Sequence, residues 1–138
     1  MGRRIVFEVE GVRAVAELQE DLSPKSTAAF WDALPMERTL MHAKWSGEVS
    51  FFRPGPGLAK ITELESPVTS IYPGTLVMRP GGSEALMAYG VGEYRWGIGT
   101  DYTTRLARIV ENAGPFLAVL RRMHDEGEKQ IKVTRAEA

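Results

Sequence analysis

The chain carries two histidines, His42 and His124, and no cysteine, an inventory that narrows the chemistry available to it. Without cysteine there is no disulfide, no thiolate nucleophile and no zinc site of the Cys type. A nucleophilic triad needs a base within hydrogen-bond reach of its nucleophile. His42 ends an apolar run and precedes a turn carrying Trp45, Ser46 and Glu48. There it serves equally as the base or donor of a pocket or as a hydrogen-bonded core histidine. With Glu48 as its acid–base partner, it would suit a hydrolase or lyase. His124 falls in the last turn of a helix, where the dipole favours a cation, so a capping role is expected. The sequence contains no His-x-His, no His-Glu-x-x-His and no Asp-rich loop, and no metal is expected. The glycines of 90–99 fail the dinucleotide spacing, because Arg95 stands where glycine is required. No cofactor is expected either.

A pocket that orients a small molecule combines an apolar lining with a few convergent polar groups. The candidates are His42, Trp45, Glu48 and Tyr72, together with Arg79, Glu84, Tyr89 and Trp96. Arg79, at a strand end, would hold a carboxylate or a planar polar ring through paired hydrogen bonds.

Strands must position these groups. Ile5, Phe7 and Val9 alternate with Val6, Glu8 and Glu10, and after Gly11 the alternation resumes through Val12, Ala14, Ala16 and Leu18, which predicts a hairpin. Ser23 and Pro24 open a helix whose apolar face is Thr27, Phe30, Trp31 and Leu34, and Pro35 ends it. Short strands are predicted at 38–43, 48–52, 75–78, 85–89, 106–110 and 131–133, with a weaker one at 58–64. Residues 90–102 read as an extended loop, with room for a short bridge, whose aromatics Tyr94 and Trp96 either lie exposed and close over a ligand or simply cover the barrel. Asn112 caps a second helix with Phe116, Leu117, Leu120, Met123 and His124 inward and Gly127 as its stop. Many short strands predict a mainly β fold, a barrel or a sandwich, and two helices far apart in the chain suit a closed barrel with one helix at each end.

At 138 residues, with 43% hydrophobic and 25% charged side chains, the composition is that of one globular domain, 1–138, with 134–138 as a tail. A net charge of −1 draws the chain to neither nucleic acid nor an anionic membrane. The basic start at Met1 is followed by too short an apolar stretch for a signal peptide or membrane span, so a cytoplasmic location is expected. A small-molecule ligand is the expected partner. Association with further copies would be favoured were Phe51, Phe52 and Phe116 exposed.

Several strings in this order resemble the cyclophilin-like barrel: Pro24 to Phe30, Gly74-Thr75-Leu76-Val77-Met78, and Leu106 to Asn112. A closer resemblance, carried by His42 to Glu48, Tyr72-Pro73-Gly74 and Ala88-Tyr89-Gly90, is to a family of uncharacterised bacterial cyclophilin-like proteins. The resemblance implies the barrel fold and names no reaction. True cyclophilins isomerise prolyl peptide bonds, and their motif departs here. With His42 on its histidine, the catalytic arginine falls on Ala43, the glutamine on Phe51 and the glycine pair on Phe52-Arg53. Its Ala-Asn pair falls on Arg79-Pro80 and its late pocket histidine on Thr103. Prolyl isomerisation therefore ranks below metabolite binding and below the hydrolase or lyase reading.

Overall fold

The computed structural model describes residues 2–137. Met1 of the basic start and Ala138 of the expected tail lie outside them. In chain order the elements are β1 (Arg4–Val9), β2 (Val12–Leu18), α1 (Pro24–Asp32), β3 (Met36–His42) and β4 (Gly47–Phe52). A 3-10 turn at Pro56–Leu58 leads to β5 (Ser70–Ile71), β6 (Thr75–Met78), β7 (Ala85–Glu93), β8 (Arg95–Trp96) and β9 (Gly99–Thr100). The chain closes with β10 (Thr104–Glu111), α2 (Ala113–Arg121), the single turn α3 (Met123–Glu126) and β11 (Lys129–Arg135).

The main sheet runs β4-β3-β11-β1-β2-β10-β6-β7, and β7 pairs back onto β4, closing an antiparallel ring of eight strands. Closure leaves no edge in the ring. Outside it, β5 pairs with the end of β7, and β8 with β9 form a small separate hairpin. Leu18 at the end of β2 lies opposite Ala107, in the first half of β10. The chain therefore leaves β2 into α1 at one barrel end and leaves β10 into α2 at the other, one helix to each end.

Two apolar layers follow from the strand alternation. The interior holds Phe7, Phe30, Phe52, Leu76, Leu106 and Phe116, with the rings of Phe7 and Phe116 stacked 6.0 Å apart. A second cluster, Val49, Ile71, Val77, Leu86, Ala88 and Tyr94, lies on the outside of β4, β6 and β7. Along β7, Ala85, Met87 and Tyr89 face in while Leu86 and Ala88 face out, and both sets are buried. Strands covered on both faces read as continuous apolar runs, as 75–78 and 85–89 do.

Several expectations need correction. Residues 58–64 form no strand: Leu58 closes the 3-10 turn and Ile61 packs on the core from a loop. The stretch 90–102 is largely paired rather than loop, because β7 runs to Glu93 and the β8–β9 hairpin follows. β11 continues to Arg135, opposite Ile5, so residues 134 and 135 are no tail. The second helix breaks at Arg122 into α2 and α3, which leaves the His124 ring 77% exposed rather than inward. Phe52 and Phe116 are core, and only Phe51 is partly open.

Neither expected cap forms. Asn112 adopts φ 63° and its side chain donates to the Arg13 carbonyl at 2.7 Å, while Ser23 donates to the Glu65 carbonyl at 3.3 Å. The cap of α1 comes from across the fold: the Glu65 carboxylate accepts the backbone N–H of Ser26 at 2.7 Å and of Lys25 at 3.1 Å. Burial alone would raise the Glu65 carboxyl, but the hydrogen bonds from Ser26 and Lys25 outweigh it and hold it below its usual value. A depressed carboxylate stabilises the fold fully above its unfolded-state pKa, and that contribution disappears as pH falls through the folded value. Glu65→Ala is therefore expected to cost about 1 kcal/mol near neutrality. Thermal unfolding of variant and parent should converge between pH 7 and pH 3; a gap that stays constant would mean the carboxylate charge is not what holds the helix end.

Candidate functional site

The register lays a row of side chains across the outer wall. Met41 of β3 faces Phe51 of β4, Phe51 faces Leu86 of β7, and Leu86 faces Val77 of β6. Tyr94 and the β5 segment cover the Val77 end of this row. The remainder, Met41, Phe51 and Leu86, is the floor of a cleft of about 410 Å³.

Two indoles stand at its rim. Trp45, 58% exposed, lies beside Gly97 of the β8–β9 turn. Trp96 is placed by that hairpin, and its Nε1–H donates to Asp101 at 2.9 Å, a bond that lowers the Asp101 carboxyl. Ser46 ties the Trp45 turn to this wall: its hydroxyl accepts from Arg95 N–H at 3.1 Å, and its carbonyl accepts from Glu93 N–H at 3.0 Å.

Cations crowd the same cleft. The Arg79 guanidinium sits 4.6 Å over the Trp96 ring, and Arg53 lies 5.7 Å over Phe51. Lys44, Arg53, Arg79 and Arg95 all line it, and of these only Arg95 has an ion-pair partner among the described residues, Glu93 at 3.0 Å. Two carboxylates lie near them: Asp101, whose carboxyl the Arg79 charge also helps to lower, and Glu84. Glu84 accepts the Tyr94 hydroxyl at 3.0 Å. Burial first, and then the Glu84 charge, push the Tyr94 phenol far above its usual value, so it stays a donor. Tyr94 is 1% exposed, so of its two expected roles it takes that of covering the barrel wall.

His42 separates this cleft from a second hollow at the barrel end closed by α2 and α3. Its Nδ1 lies 2.8 Å from the Ala43 carbonyl and so carries the proton, and Nε2 lies 2.7 Å from the Tyr89 hydroxyl. In the neutral ring Nε2 accepts from that hydroxyl. Tyr89 is itself pushed upward, by burial and then by Glu48. Both ring nitrogens are thus engaged. Glu48 is engaged elsewhere, accepting Val91 N–H at 2.9 Å and pairing with Arg121 at 3.1 Å. His42 and Glu48 share no hydrogen bond, and the His124 ring lies edge-on 5.8 Å from His42.

Of the eight sequence candidates, His42, Trp45, Arg79, Glu84 and Trp96 meet in the outer cleft, while Glu48 and Tyr89 line the hollow at the barrel end. Tyr72 joins neither; it is 69% exposed, beside another cavity. Sequence reasoning missed Phe51 as a floor, Arg53 as a cleft cation, and Tyr94 as the partner of Glu84. For Phe51 and Arg53 the signal was the run 47–53 itself, since alternate residues along a strand share a wall, whereas nothing local linked Tyr94 to Glu84. Among the described residues no group of three or more histidine, aspartate or glutamate side chains is placed to hold a metal ion, and no helix is long and apolar enough to cross a membrane.

A closed eight-stranded antiparallel barrel with a helix at each end is the cyclophilin-like fold. Solved structures agree on the fold. One described as McbB in complex with tryptophan superposes with a TM-score of 0.69 at 17% identity, covering 97% of this chain but 45% of that one. The chain thus spans less than half of that protein. The hypothetical protein AF2241 from Archaeoglobus fulgidus gives 0.63 at 17% identity, covering 98% of this chain and 95% of that one. A cyclophilin-type peptidyl-prolyl cis-trans isomerase from Cryptosporidium parvum gives 0.58 at 14% identity, covering 100% and 99%. No curated protein matches the sequence. The family is shown directly: the chain belongs to the family described as protein of unknown function (DUF3830), whose model matches residues 5–135.

The cleft and the isomerase motif coincide in place and differ in chemistry. Of the motif positions, those at Ala43, Phe51, Arg53 and Arg79 line the outer cleft, whereas Phe52 is core and Thr103 is buried and bonded to the Val68 carbonyl. Where the motif carries arginine and glutamine, this wall presents a methyl group and a phenyl ring.

Proposed function

We propose that the outer cleft binds a small organic anion with a planar apolar body, held without covalent chemistry. The observation that carries this reading is Arg79, stacked on Trp96 at the edge of an apolar floor, near Asp101 but with no carboxylate at ion-pair distance among the described residues. A guanidinium held flat against an indole is pre-organised to offer paired donors to a carboxylate. Met41, Phe51 and Leu86 beneath it take up an apolar ring, and Glu84 accepts from a donor on the ligand. The similar structure described as a complex with tryptophan, a planar ring bearing a carboxylate, is consistent with this class of ligand. The hydrolase or lyase reading finds less support, because the ring nitrogens of His42 and the carboxylate of Glu48 are all committed to other groups.

Indole-3-acetate, with its neutral amide as the comparison, tests the proposal. The expected result is a shift of the Trp45 and Trp96 indole N–H resonances, with Trp31, on α1, unmoved. Arg79→Gln should weaken binding about tenfold or more, the scale of a lost charge-assisted pair. Equal binding of the amide, or an unchanged affinity in folded Arg79→Gln, would sink the idea.

A further inference from the structure

Farther along the same outer wall, past Ile71, a separate cavity of about 360 Å³ is roofed by the segment carrying Val68, Ser70, Tyr72 and Pro73. The roof is fastened at both ends. Val68 and Thr103 exchange backbone hydrogen bonds of 2.9 Å, Ile71 pairs with Gly92, and Gly74 N–H donates to the Ala88 carbonyl at 3.1 Å. The floor is β6 and β10, with Val77 opposite Arg105 and Thr75 opposite Arg108.

The two arginines are three residues apart, a spacing that in an unbroken strand puts side chains on opposite faces. Here the pairing of β10 with β6 slips between Arg105 and Ala107. Leu106 and Ala107 are consequently both buried, and Arg105 and Arg108 both line the cavity. A bulge of this kind re-aims a side chain at the expense of a ladder pairing. It also sets two like charges on one face, which is destabilising unless something answers them. Among the described residues neither arginine forms an ion pair; Glu17, opposite Arg108 in register, lies 3.9 Å from Arg4 instead. Arg105 spends its Nε–H on the Ser66 carbonyl at 3.1 Å, which fixes the guanidinium with its terminal nitrogens unspent.

We infer that this cavity is a second ligand site, independent of the Trp45–Trp96 cleft, that takes a small carboxylate with a compact apolar body. Two guanidinium groups supply paired donors to the carboxylate, and Val68, Val77 and Pro73 receive the body. The volume is that of a small-molecule site.

Benzoate titrated into the full chain to millimolar concentration, followed by amide resonances, is the test, with benzamide as the uncharged comparison. Benzoate should move the amides of Val68, Ser70 and Tyr72, and benzamide should not. Arg105→Gln and Arg108→Gln, each confirmed as folded, should each weaken that response about tenfold, while Arg79→Gln leaves it unchanged. No shift at these amides, an equal response to benzamide, or an unchanged response in both folded variants would overturn the assignment. Benzoate shifts confined to the Trp45 and Trp96 indoles would overturn it too, while leaving the first cleft standing.

Discussion

Replacing Phe52 with alanine is expected to lower stability by about 3–5 kcal/mol, while the same change at its neighbour Phe51 costs roughly 1 kcal/mol and removes ligand binding. The two rings are consecutive on β4 and therefore point to opposite faces. Phe52, opposite Ala85, lies in the barrel interior with 1% of its surface exposed. Its deletion loses the transfer energy of a whole ring and leaves a cavity the closed barrel cannot collapse. Phe51, opposite Leu86, is the floor of the outer cleft and partly open to solvent. Urea unfolding of the two variants beside an indole-3-acetate titration separates the effects. Similar midpoints for both would mean that the faces are not divided between folding and binding as described.

A second adjacent pair divides strain from collision. Gly81 and Gly82, in the turn between β6 and β7, have φ of +86° and +67°, where a side chain is strained. A Cβ at Gly81 would meet nothing within 4 Å, so Gly81→Ala carries conformational strain alone, about 1 kcal/mol. A Cβ at Gly82 would lie 2.6 Å from the Leu58 Cβ and 2.9 Å from the Leu58 carbonyl, backbone that cannot swing aside. Gly82→Ala is expected to cost about 2–4 kcal/mol, the sum of strain and overpacking. The turn also joins Arg79 to Glu84 through the Arg79 N–H bond to the Glu84 carbonyl at 2.9 Å. Moving it misplaces the cation and the carboxylate of the cleft together, so ligand affinity should fall with stability. Thermal melts and ligand titrations on both variants check this; equal losses at the two glycines would contradict it.

Much of the barrel was legible in the chain. The first hairpin alternates cleanly because its outer face meets solvent, and β6 matched its predicted limits because Tyr72-Pro73-Gly74 and Pro80-Gly81-Gly82 bracket it. The segment 58–64 misled because Leu58, Ile61 and Leu64 are apolar and close together. Their spacing of three belongs to tight helical turns, and a period of two never appears. The stretch 90–102 misled for the opposite reason: its glycines read as flexibility, yet Gly92 lies where β4, β5 and β7 converge and a Cβ would fall 2.5 Å from Val49. The remote cap on α1 was illegible, since nothing local links Glu65 to Ser26, and the slip in β10 leaves no mark in Arg105 to Arg108. Residue types alone placed five of the eight candidates in one cleft. Tyr72 was drawn in by its aromatic type, with no register to show which cavity it borders.

The double burial of β6 and β7 has a consequence for descent. Inward positions such as Leu76 and Met87 answer to folding, and outward ones such as Leu86 answer to whatever lies on the wall. Every second codon in these strands is therefore under a different selection. Substitutions at Met41, Phe51 and Leu86 can change the wall while the interior register stands still. A barrel fold shared at 14% identity with a prolyl isomerase, but presenting Ala43 and Phe51 along its outer cleft, is one frame that carries two different walls.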